Sequence, residues 1–177
     1  MTQQIVALKR DCRVTEIPSG SLHVLSEGTP VVITQTLGGS YTVTVGYGQL
    51  MRVDAKDADA LGFEPAQQPE SASEFSEKAV WDQLKTVYDP EIPVNIVDLG
   101  LVYSCAIAEQ DGGHKIDITM SMTAPGCGMG DVLKSDIEQK LSALPTVNQV
   151  HVEVVFDPPW SPRMMSEATR LQLGLDY

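Results

Sequence analysis

Residues 116–141 constrain this chain more than any other stretch. They read Ile-Asp-Ile-Thr-Met-Ser-Met, then Thr-Ala-Pro-Gly-Cys-Gly-Met-Gly, then Asp-Val-Leu-Lys-Ser-Asp-Ile-Glu-Gln-Lys-Leu. Ile116, Ile118, Met120 and Met122 alternate with Asp117, Thr119 and Ser121. That period predicts a half-buried strand. The proline and glycines of 123–130 break all periodicity and make a loop. Leu133, Ile137, Leu141 and Leu144 then recur at helical spacing, with Asp131 as the expected N-cap.

The order strand, glycine-rich loop, helix places Cys127 just before a helix begins. Unpaired backbone N–H groups and the macrodipole favour an anion there, and a thiolate is one. The loop is built to expose a reactive or ligating thiolate, or to bind an external anion. Against these stands Cys127 as a small apolar residue packed under a turn.

Composition narrows the alternatives. At 177 residues the chain is one ordinary domain or two small ones. A net charge of -12 repels phosphate backbones, so nucleic acid is not an expected partner. No run of 18 apolar residues occurs, so no membrane span is expected. The first residues lack the order of a signal peptide, which makes the expected location cytoplasmic. Cys12, Cys105 and Cys127 are widely spaced and odd in number, which speaks against a disulfide framework. The histidines, His23, His114 and His151, are singletons, so a self-contained zinc site is poorly supported.

Residues 1–62 are rich in β-branched residues and glycine. Thr29–Thr36, Tyr41–Val45 and Gln49–Val53 predict strands joined by tight turns, and Asp57–Gly62 a helical turn. These make a small all-β, barrel-like N-terminal module. Residues 63–75 are polar with two prolines and read as a linker. Residues 76–177 form the second domain. Val80, Trp81, Leu84, Val87 and Tyr88 predict a helix over 77–88 capped by Ser76, which Pro90 stops at Asp89. Asp89-Pro90-Glu91 then places two carboxylates on a stiff loop. Either Asp89 caps local amides or the pair belongs to a site.

Leu101–Ile107 predicts a strand with Cys105 buried, paired through a turn at 110–114 with the strand at 116–122. Val150–Phe156 predicts a third strand, with His151 solvated. Ser161 and Pro162 predict the start of a last helix, Arg163 to Leu173. Trp160 either covers the Cys127 loop or is an ordinary apolar plug. The expected class is α+β, with a mixed three-stranded sheet and packed helices in the order α-β-β-α-β-α.

Asp89-Pro-Glu91, Asn95–Tyr103, Thr123-Ala-Pro-Gly-Cys127 and Asp157-Pro-Pro-Trp160 together resemble the MIP18 family across roughly residues 76–177. The β-rich leader and the run Arg163–Gly174 narrow the resemblance to one branch of it. The resemblance implies an auxiliary factor in iron–sulfur cluster assembly or delivery rather than an enzyme. It places the functional motif on Asp89, Pro90, Glu91, Thr123 and Cys127. Gly126 and Gly128 support that site by leaving the sulfur uncrowded, and Trp160 is a further supporting candidate. The resemblance implies a transient iron–sulfur cluster as cargo, and assembly proteins and client apo-proteins as partners. One thiolate cannot close a four-ligand cluster site. Cys127 could ligate a cluster shared across a homodimer or one passed to a client. Two other functions compete. A thiol enzyme, such as a sulfur or acyl carrier, needs a base, for which His114 and His151 are the candidates. A pure adaptor needs no cluster at all.

Overall fold

The computed structural model describes residues 4–64, 74–126 and 128–175. Cys127, singled out above, lies outside the described residues. The chain divides into two compact units, Met1–Pro69 and Glu70–Tyr177.

The first unit is a six-stranded antiparallel sheet. Its strands are β1 (Gln4–Ala7), β2 (Cys12–Glu16), β3 (Leu22–Leu25), β4 (Pro30–Leu37), β5 (Ser40–Val45) and β6 (Gln49–Val53). They pair in the order β1-β4-β5-β6-β2-β3. Among the described residues β1 and β3 do not pair, so the sheet is open rather than the expected barrel. A 3₁₀ turn, Ala55–Leu61, closes one face and ends at Gly62, whose φ of 85° suits glycine. Alternation sets the core: Cys12, Val14, Val31, Val43, Met51 and Val53 point inward with Ala58, Ala60 and Leu61.

The second unit opens with α1 (Glu77–Leu84). The Ser76 hydroxyl accepts from the Ala79 N–H, as expected of a cap. The helix ends at Leu84, four residues short of the expected end at Tyr88. Two backbone links explain this. Val87 O accepts from Ile96 N, and Tyr88 bridges Asn95, so both residues are drawn into extended backbone.

The sheet that follows contains β7 (Val102–Gln110), β8 (Gly113–Met120) and β9 (Val147–Val154), in that order. β7 and β8 are antiparallel through a two-residue turn. Asp111 and Gly112 both have positive φ, 51° and 76°, as a primed hairpin turn requires. β8 and β9 are parallel, because α2 (Gly130–Ser142) crosses between them. Leu133, Ile137 and Leu141 of α2 are fully buried, as are Ile116, Met120 and Val152 of the sheet. This is the expected α+β arrangement.

Three expectations fail locally. Asp131 lies in the first turn of α2, and Met129 holds the cap position without a side-chain bond, because Met129 is itself fully buried. Phe156 is 48% exposed rather than inward, since β9 ends at Val154. The last helix is split. A 3₁₀ turn, Pro162–Met164, precedes extended Met165, and α3 runs only over Glu167–Gln172. Met165 is drawn into the core and Ser166 recaps the chain, accepting from the Thr169 N–H. No described helix is long and apolar enough to cross a membrane.

Candidate functional site

The Asp-Pro-Glu motif forms a turn around a buried carboxylate. Asp89 is only 2% exposed. Its Oδ1 accepts from the Glu91 and Ile92 N–H groups, both at 2.9 Å. Its own N–H donates to Val94 O at 3.1 Å. Burial pushes the Asp89 carboxyl above the usual carboxylate range, and the two amides only partly offset that. Pro90 is half-buried and the Glu91 side chain is exposed. Of the two motif carboxylates, one therefore holds the turn and the other faces solvent.

The next seven residues are the hub of the site. Asn95 Oδ1 accepts from the Val97 and Asp98 N–H groups, while its Nδ2 donates to Asp98 Oδ2 at 2.6 Å. Leu101 N–H closes the turn onto Ile96 O. Leu101 O then accepts from Ser121 N–H at 2.8 Å, tying the hub to the segment that leads into the glycine-rich loop.

A strap from the C-terminal side lies on the same hub. Trp160 Nε1 donates to Leu99 O at 2.8 Å, Ser166 N–H to Asp98 O at 2.9 Å, and the Tyr103 hydroxyl to Pro158 O at 2.8 Å. Gly100 has φ 71°, and a Cβ there would overlap the Met164 carbonyl, so only glycine lets the strap pass this close. Trp160 thus clamps the strap to the hub.

The glycine-rich loop leaves the end of β8 and returns at α2. Met122 and Met129 anchor its two ends, at 3% and 0% exposure. Between them Thr123 is half-buried, and Ala124, Pro125, Gly126 and Gly128 are exposed. Gly126 has φ 83°. Among the described residues Ser121 Oγ is buried with no hydrogen-bond partner.

The other cysteines have no such setting. Burial pushes the Cys12 thiol up to about 11, and that of Cys105 likewise to about 11. Cys12 is buried, whereas Cys105 is half-buried rather than fully covered as expected, because it lies on an edge strand. Among the described residues no three His, Cys, Asp or Glu side chains gather to hold a metal ion.

Among the described residues the motifs are linked by backbone bonds and by side-chain donors to backbone carbonyls. Asp89 reaches Val94, the hub reaches Ser121, and Trp160 reaches Leu99. Sequence reasoning did not single out Asn95, Asp98, Gly100 or Tyr103 as site residues. The Asn-x-x-Asp spacing at 95 and 98 carried the signal of a side-chain-capped turn.

Residues 77–154 match the iron-sulfur cluster assembly protein family. An Fe-S protein maturation auxiliary factor of Porphyromonas gingivalis is 40% identical over 99 residues, covering 56% of this chain and 91% of that protein. The chain belongs to this family. The auxiliary factor YitW of Bacillus subtilis is 37% identical over 92 residues, 52% of this chain and 87% of its own length. The auxiliary factor SufT of Staphylococcus aureus is 35% identical over 89 residues, 50% of this chain and 98% of its own length. The crystal structure of a domain of unknown function from Bacillus anthracis superposes with a TM-score of 0.51 at 40% identity, over 56% of this chain and 92% of that one. The narrower resemblance read from the sequence is to SufT. The matched family segment lies wholly within the second unit.

Proposed function

We propose that this chain delivers iron–sulfur clusters to client apo-proteins, with Cys127 as the ligand that hands over the cargo. One observation carries the reading. The loop around position 127 is pinned at both ends by buried methionines, while its flanking residues Pro125, Gly126 and Gly128 are exposed. A thiolate in such a loop can meet another protein, and the uncapped amides at the start of α2 favour its charge. The names of the relatives support the same reading, since they are maturation auxiliary factors.

The cluster is cargo, so its remaining ligands come from the donor or the client at each step. Asp89, with its two amide bonds, fixes the turn that carries Pro90 and exposed Glu91, and Thr123 stands at the loop entrance. Trp160 holds the hub between them. The partners are iron–sulfur assembly proteins and client apo-proteins. The reading is tested by Cys127→Ser in cells that depend on this protein. Client enzymes should lose their clusters while the variant keeps the wild-type unfolding midpoint. Clients that mature normally with the variant would turn the reading into that of an adaptor.

A further inference from the structure

Among the described residues four strands end a sheet: β1, β3, β7 and β9. β7 is the longest strand among the described residues, at nine residues. Edge strands are ordinarily protected by shortness, lysine, proline, bulges or a covering element. The β7 sequence Val-Tyr-Ser-Cys-Ala-Ile-Ala-Glu-Gln holds no lysine, arginine, proline or glycine. Its one irregularity lies at Val102/Ser104, and from Ser104 to Gln110 the pairing with β8 is regular. The core beneath it is also unfinished on this side. Ile116 and Ile118 of β8 are buried to 0% and 1%, yet Ile107 and Cys105, their partners in β7, remain half-buried.

We infer that β7 is a dimerisation edge whose partner is the same strand of a second copy. Register favours this partner. In an antiparallel pair, directly opposite residues share a face. A two-fold axis through Ala106 therefore sets Ala106 against its equivalent, Cys105 against Ile107, Ser104 against Ala108, Tyr103 against Glu109 and Val102 against Gln110. The only charge in the strand, Glu109, meets a tyrosine and not another carboxylate. In a chain of net charge -12 this is the condition for two copies to approach. The exposed alanine at the axis leaves room for close approach. Both Cys105–Ile107 pairs fall on the helix-covered face and finish the core stripe there. β9 is less suited: centring it on His151 opposes two imidazoles, and β1 and β3 have only four residues each.

The pairing makes one six-stranded sheet with an isologous interface. The two β8 strands run in opposite directions in it. Their Met120 ends lie about 25 Å apart, from ~3.4 Å per residue and ~4.8 Å between strands. The glycine-rich loops thus leave opposite ends of the sheet. Resting on the proposed delivery function, this gives each loop its own client rather than one cluster shared between two copies.

The test uses the full-length protein. Light scattering after size exclusion should give twice the 19.2 kDa of one chain. Ala106→Lys sets two cations together at the axis and should weaken the dimer by about ten-fold or more, with circular dichroism unchanged because position 106 is exposed in the single copy. A second variant, Ala106→Cys in a background of Cys105→Ser and Cys127→Ser, should give a cross-linked dimer on mild oxidation, while that background alone should not. A wild-type chain that stays at 19.2 kDa overturns the inference. So does a dimer that survives Ala106→Lys and shows no added cross-link at 106. None of these measurements reads cluster binding, so the delivery function can fail while the dimer stands, and the reverse.

Discussion

Replacing Asp89 in two ways separates its charge from its hydrogen bonds. Asp89→Ala removes the acceptor of two backbone N–H groups, each at 2.9 Å, in a site that is 2% exposed. Two such bonds, with their donors left in a buried turn, are worth about 2–3 kcal/mol together. In a unit of this size that lowers Tm by about 10 °C. Asp89→Asn keeps an oxygen at the same place and loses only the charge. Folding raises the carboxyl's pKa, because burial disfavours the ionised form. The stability gained from that group is fully present below the unfolded value of about 3.9 and is lost as pH rises through the folded pKa. Asp89→Asn should therefore be at least as stable as wild type at neutral pH, and the difference between them should shift in favour of Asn as pH rises through that interval. The assay is urea unfolding followed by tryptophan fluorescence. Trp81 and Trp160 are the only tryptophans, and both lie in the second unit, so the signal reports that unit alone. A wild type that gains on Asp89→Asn with rising pH would refute the reasoning, since it would mean the folded state favours the carboxylate. Equal midpoints for Asp89→Ala and wild type would refute the role of the two amide bonds.

Other outcomes follow from the same geometry. Gly100→Ala should cost about 2 kcal/mol or more, from its left-handed backbone and the overlap with Met164, and hydrogen exchange should rise across 158–166. Trp160→Phe keeps the ring and loses the bond to Leu99 O, so it should cost about 1 kcal/mol in chemical denaturation. Ser121→Ala removes a buried hydroxyl that has no partner among the described residues and should raise stability by about 1 kcal/mol; a loss of that size would reveal a bond to Ser121. Cys12 and Cys105, with thiols pushed up to about 11, should alkylate slowly near neutral pH, and mass spectrometry should find the fast-reacting thiol at Cys127.

Most of the framework was legible because the signals are local. Gly46-Tyr-Gly48 and Asp111-Gly112 are turns whichever way the rest of the chain folds, and the alternation at 116–120 fixes a register. The failures are places where a distant contact decided. Tyr88 leaves the helical stripe to bridge Asn95. Met165 breaks the last helix because it is buried, while its neighbour Ser166 is bound to Asp98. Met129 displaces Asp131 from the cap because a buried methionine outweighs a surface hydrogen bond. In the site, Asp89 stood out as an aspartate before proline. Gly100 did not, since the strap that passes over it comes from more than sixty residues away.

Iron and sulfide content after anaerobic reconstitution, measured on wild type and Cys127→Ser and followed by incubation with an apo-acceptor, tests the delivery function most directly. The account predicts a cluster in wild type that moves to the acceptor and little or none in Cys127→Ser. Equal cluster content and equal transfer in the two proteins would contradict it.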